Sequence, residues 1–144
     1  MVRECSIAAA LTVVGEQWSL LVLREVALGV RRFDAIQAAT GASRATLGAR
    51  LRSLTESGLL ERIEYREPGS RARHEYRLTP AGRELQPVLT ALMQWGDRYL
   101  AGPEGPPSTA THSGCGAAIR ASLRCERGHV LPDTGQELTL QQNR

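Results

Sequence analysis

The sequence predicts a mainly α-helical domain carrying one small β-hairpin, and three observations predict it. A chain of 144 residues with 42% hydrophobic content suits one domain plus an appendage. Apolar residues recur at helical spacing in separate runs, most clearly Leu47, Leu51 and Leu54, one face of a helix. A single stretch changes period. Ile63 and Tyr65, then His74, Tyr76 and Leu78, alternate with polar neighbours on either side of Glu67-Pro68-Gly69-Ser70, the pattern of two strands joined by a type II turn.

Taken in order, Ser6 is placed to cap a short first helix through IAAALTVV that ends at Gly15, with Cys5 just outside its N-terminus. Trp18 to Leu28 reads as a buried second helix closed by Gly29. Arg31-Arg32-Phe33 is a short extended link. Asp34 to Thr40 gives a third helix with Phe33, Ile36 and Ala39 spaced for burial. Gly41 turns the chain into a fourth helix, with Ser43 as N-cap and Gly58 at the left-handed C-terminal cap. Helix, short turn, helix is the helix-turn-helix signature; followed by a two-stranded hairpin, it is the winged-helix arrangement. Thr79-Pro80 then starts a long helix running through Leu100, whose apolar face carries Leu85, Val88, Leu89, Leu92, Trp95 and Tyr99. Pro87 predicts a kink within it. That face exceeds what one small domain needs, so the helix is expected to pair with the first helix and with its twin in a homodimer. The complete expectation is a winged helix-turn-helix with a long C-terminal dimerisation helix.

The outer face of the fourth helix points to its partner. With Leu47 at the centre of the buried face, Ala45, Gly48, Ala49 and Arg52 fall opposite, and Arg44, Thr46, Arg50 and Ser53 lie on the flanks. A plain amphipathic helix is one reading, but its solvated face would carry Glu and Lys. Small residues let a backbone approach double-stranded DNA, and guanidinium groups suit guanine or phosphate. The expected DNA contacts are Ser43, Arg44, Ala45, Thr46, Gly48, Ala49, Arg50 and Arg52, joined from the wing by Arg71 and Arg73. Charge placement agrees. The net charge is only +3, yet between Arg31 and Gly82 ten Arg face six acids, a local balance of +4. All 18 basic residues are Arg, so every cationic contact uses the planar guanidinium fork.

Residues 5 to about 100 resemble the HxlR-type transcriptional regulators, a branch of the MarR-like winged-helix proteins. The matching runs are Gly15-Glu16-Gln17-Trp18-Ser19-Leu20-Leu21, Arg24-Glu25, Arg32-Phe33, Leu51-Arg52-Ser53-Leu54, Gly58-Leu59-Leu60, Tyr76-Arg77-Leu78-Thr79, Gly82 and Trp95. Ala42 departs from the larger aliphatic residue usual there. The resemblance implies a homodimer on a pseudo-palindromic operator, with half-sites roughly 34–36 Å apart, and repression as the usual outcome. It also implies control by oxidants or electrophiles through a thiol near the N-terminus, here Cys5, or by a small-molecule effector. A helix N-terminus favours a thiolate in general, and Arg3 adds positive charge nearby.

From Ala101 the composition changes. The expected organisation is a winged helix-turn-helix domain over 1–101, a Pro/Gly linker over 102–107 and a tail over 108–144. The tail holds His112, Cys115, Cys125 and His129, spaced His-x2-Cys-x9-Cys-x3-His. These are ligand types zinc accepts, although Gly128 stands where similar tails of some relatives carry the second Cys of a Cys-x-x-Cys pair, with His129 one step later. A small zinc-binding appendage and a plain polar tail are both open.

No run of 18 apolar residues exists to span a membrane, and no signal peptide is evident, so a cytoplasmic protein is expected. An odd cysteine count argues against a disulfide framework. No nucleophile elbow, phosphate-cradling loop or metalloprotease motif is present, so an enzyme is not expected. The alternatives kept are a regulator responding to a small ligand, and a winged-helix protein-interaction module that binds no DNA.

Overall fold

The computed structural model of the chain describes residues 5–143. In order the elements are α1 (Ser6–Val14), α2 (Gln17–Ala27), α3 (Phe33–Thr40), α4 (Arg44–Glu56), β1 (Leu60–Tyr65), β2 (Arg73–Leu78), α5 (Pro80–Arg83) and α6 (Gln86–Tyr99). They belong to two compact units, Met1–Gln86 and Pro87–Arg144.

The first unit is built around α2, which packs against α3, α4 and β2. Val22 and Leu23 of α2, Ile36 of α3, the α4 stripe Leu47, Leu51 and Leu54, and Leu60 of β1 are all essentially inaccessible to solvent. Each such side chain contributes about 1.5–3 kcal/mol by leaving water. Ala42, in the turn between α3 and α4, is also buried, so the small residue there sits within the core.

Local signals set most helix ends. Cys5, not Ser6, is the N-cap of α1; it is extended (φ −144°, ψ 121°) and makes no side-chain cap bond. The α1–α2 junction is tight: a Cβ on Gly15 would lie 2.4 Å from the Leu11 carbonyl oxygen. A cap absent from the sequence reading starts α2, where one Glu16 carboxylate oxygen accepts from the N–H groups of Trp18 (2.9 Å) and Ser19 (3.3 Å). Helix α4 closes as expected at Gly58, whose φ is +78°. Leu59 N–H bonds Leu54 O and Gly58 N–H bonds Thr55 O, the paired bonds of a Schellman cap.

Strands β1 and β2 pair antiparallel from Leu60↔Leu78 to Tyr65↔Arg73. Their turn has the expected bond from Ser70 N–H to Glu67 O (3.0 Å) and a positive φ at Gly69. The extended link before α3 contributes a further bridge, Arg32↔Glu75, with Tyr76 N–H bonded to Arg31 O. On α3 the expected burial holds only in part. Ile36 is buried and Phe33 half-buried, but Ala39 is exposed, because two turns of helix present a narrow face centred on Ile36.

The single kinked C-terminal helix of the sequence reading is instead two helices. Thr79 caps α5 through Gly82 N–H (3.1 Å) and donates to Gly58 O (2.6 Å). Pro87 then falls in the first turn of α6, where its missing N–H costs nothing; deeper in a helix its ring would clash with the carbonyl of Arg83, four residues back.

The second unit joins α6 to the tail. Among its described residues α6 buries none, and Val88, Leu92, Trp95 and Tyr99 form an exposed stripe with the Trp95 and Tyr99 rings 5.5 Å apart. The tail forms two small loops closed by the bridges Thr111↔Ala118 and Arg124↔Val130. Gln94 of α6 holds the strand-like segment between them, donating to Ile119 O (2.6 Å) and accepting from Ala121 N–H (2.8 Å). The composition change at 101–102 lies within the second unit. A Pro/Gly-rich linker signals turns, not the lack of side-chain bonds across them. No single described helix is long and apolar enough to cross a membrane.

Candidate nucleic-acid interface

The site is built on α4. Ser43 has extended backbone and its Oγ accepts from Thr46 N–H (3.1 Å), while its hydroxyl lies 2.9 Å from that of Thr46. Capping fixes the helix entry and leaves the exposed first turn formed by Arg44 and Ala45. Along the outer face Gly48 would meet nothing within 4 Å if it gained a Cβ. That open space is what a close approach of another backbone requires. Ala49 is half-buried beside it and Arg52 is exposed.

Arg44 does not extend freely. Its guanidinium lies 4.9 Å from the Phe33 ring centroid and 3.5 Å from the Asp34 carboxylate. Stacking and charge thus aim the first arginine of α4 along the start of α3, a placement no spacing rule supplied. Arg50 departs from the expectation more strongly. Its side chain is 28% exposed and its Nε lies 3.9 Å from Glu16, the carboxylate that caps α2. The structure places it between helices, apart from the outer face that holds Ala45 and Arg52. The missed signal was Glu16, an acidic residue at a helix start with two N–H groups to accept.

The wing carries Arg66 and Arg71 exposed, with Arg73 at the start of β2. No ion pair involves Arg71 or Arg73 among the described residues. Arg32 braces the wing to α3: its guanidinium stacks 4.7 Å from the Tyr65 ring centroid and pairs with Glu67 at 2.9 Å. Of the arginines on α4, before α3 and on the hairpin, Arg32, Arg44 and Arg50 are paired with Glu67, Asp34 and Glu16, whereas Arg52, Arg66, Arg71 and Arg73 form no ion pair among the described residues.

The remaining expected sites are placed as follows. Cys5 is free and exposed at the start of α1, and Arg3 lies outside the described residues. In the tail, His112 Nδ1 and Cys115 Sγ approach to 3.2 Å. Cys125 N–H bonds the backbone oxygen of His129. The four side chains are not brought together: no described group of three or more His, Cys, Asp or Glu is close enough to hold a metal. Zinc's tetrahedral site needs four such ligands, and here each loop turns on its own bridge, with Gly128 at the second loop's corner (φ +88°).

Comparison with known proteins follows the same line. The description of HxlR-like helix-turn-helix proteins matches residues 13–103. A Mycobacterium tuberculosis protein named as an uncharacterized HTH-type transcriptional regulator is 46% identical over 134 residues, covering 93% of this chain and 80% of that protein. The crystal structure of PA1607, described as a candidate transcription factor, superposes with a TM-score of 0.82 at 31% identity and 96% coverage of both chains. The oxidized form of the redox regulator HypR superposes with a TM-score of 0.61 at 25% identity, covering 68% of this chain and all of that one.

Proposed function

The chain belongs to the HxlR-like helix-turn-helix family of transcriptional regulators, and from that premise we propose that it is a cytoplasmic, homodimeric repressor, without enzymatic activity, that binds a pseudo-palindromic operator in double-stranded DNA. The observation that carries the reading is the small, uncovered outer face of α4 flanked by arginines of α4, of the link before α3 and of the wing. In this reading α4 enters the major groove. Arg44, Ala45, Thr46, Gly48, Ala49 and Arg52 meet base edges and nearby phosphates, and Ser43 with the helix N-terminus holds a phosphate. Arg71 and Arg73 act from the wing. Arg50 positions α4 through Glu16 and reaches DNA only if that pair opens.

The dimer rests on the exposed stripe of α6 and on Ile7 and Leu11 of α1, also exposed; uncovered apolar residues at helical spacing fit a second copy related by a two-fold axis. Control is assigned to Cys5, exposed and free at a helix start, and the likeness to a redox regulator supports it. Two thiols, Cys5 and Cys115 or Cys125 of the other subunit, become one disulfide, and two electrons and two protons pass to the oxidant. A tilt of α1 then changes the spacing of the two recognition helices.

The test is selection of binding sites from random duplex DNA, with affinity for the selected site measured across a salt series and the mass in solution determined by sedimentation. Enrichment of an inverted repeat by a dimer supports the reading. Salt-independent or absent DNA affinity overturns it in favour of a protein-interaction module.

A further inference from the structure

A cleft of about 540 Å³ opens between the start of α3 and the hairpin, within the range of ordinary ligand sites. Arg32, Arg62 and Arg73 all line it, with Asp34 as its one carboxylate. Asp34 is already paired with Arg44, and Arg32 with Glu67. Arg62 and Arg73 pair with no carboxylate among the described residues. Arg62 instead donates from Nη2 to Nδ1 of His74 at 2.9 Å. A guanidinium has only donors, so Nδ1 is the acceptor in that bond. The cleft therefore holds two cations, Arg62 and Arg73, that form no ion pair among the described residues, and its one carboxylate, Asp34, is shared with Arg44. Its lining includes Asp34 and Ala35 in the first turn of α3, a helix that begins without a side-chain cap and so leaves backbone donors there.

We propose that this cleft is a phosphate-binding site, in which Arg62 and Arg73 clamp the phosphate oxygens and Arg32, held on Tyr65, keeps the third positive charge at the rim. Paired guanidinium forks match a phosphate's oxygens in number and geometry. Two sources share that chemistry: a backbone phosphate of bound DNA, and a free phosphate or phosphorylated small molecule. The first rests on the DNA-binding reading above; the second does not. Because Arg73 belongs to both the cleft and the wing, a free phosphate in the cleft competes with DNA.

The experiment uses the full chain. Arginine Nε–H signals are followed by NMR while inorganic phosphate is added, against sodium chloride of equal ionic strength. Arg62 and Arg73 signals shift saturably with phosphate alone, and an Arg62→Gln, Arg73→Gln variant weakens binding at least about tenfold. Arg127→Gln, an exposed arginine of the tail outside the cleft, keeps phosphate binding, and thermal melts of the double variant check its fold. In the DNA arm the double variant lowers the salt slope by about two units. Saturable phosphate binding that displaces DNA identifies the free source; a lowered slope without free phosphate binding identifies the backbone. Phosphate binding by a protein with no DNA affinity keeps the cleft and retires the DNA reading. Shifts equal to those in chloride, together with an unchanged DNA slope, overturn the proposal.

Discussion

Replacing Arg71 and Arg73 together with Ala tests how the wing holds DNA. Both side chains are exposed, and neither forms an ion pair among the described residues. Their removal therefore strands no partner, and stability should stay within about 0.5 kcal/mol of the parent. Each phosphate neutralised on a duplex adds about 0.9 to the slope of log affinity against log salt. Two contacts in each subunit of the proposed dimer, four in all, therefore contribute about 3.6. Raising salt fourfold, from about 50 to about 200 mM, should cost the parent protein about 150-fold more affinity than the variant. The assay is fluorescence anisotropy on a labelled random duplex at several salt concentrations, with thermal melts run alongside. The weakening should be uniform across sequences, since phosphate contacts carry no base information. Parallel salt lines for the two proteins, with melts unchanged, would refute the reasoning and remove the wing from the interface.

Gly82→Ala should cost about 1–3 kcal/mol in urea unfolding, because its Cβ would lie 2.2 Å from the Leu59 backbone oxygen; a midpoint shift under a few tenths of that would show that the approach relaxes freely. With diamide, wild type should release its selected operator and run as a cross-linked dimer on a non-reducing gel, whereas Cys5→Ser should do neither; equal release by both proteins would exclude Cys5. Gln94→Ala should deprotect the Ala121 amide in hydrogen exchange while leaving the amides of Leu51 and Leu54 unchanged, since its two bonds join only α6 and the tail. Metal analysis of the intact protein and of Cys115→Ser, Cys125→Ser should show no stoichiometric zinc; one equivalent lost in the variant would mean that the two loops close on a metal.

What the sequence determined by itself was local. The spacing of Leu47, Leu51 and Leu54, the Ser43 cap, the left-handed Gly58 and the Pro68-Gly69 turn each act through bonds within a few residues, and each has its expected place in the structure. The helix-turn-helix and wing follow because these signals occur in the right order along the chain. Tertiary structure decided what depends on residues far apart. Whether Arg50 faces outward or toward Glu16, 34 positions away in sequence, is set by the packing of α4 on α2 and not by its place on a helical wheel. The stacking of Arg44 on Phe33, and the cleft that gathers Arg32, Arg62 and Arg73, arise where an extended link pairs with β2. The break before α6 and the docking of the tail on Gln94 were likewise hidden. A proline tells where a helix cannot continue, but not whether it bends or restarts, and a linker's composition cannot show which distant amide will hold it. Short-range signals state a residue's preferred conformation; which charges and rings end up as neighbours is fixed only when the core closes.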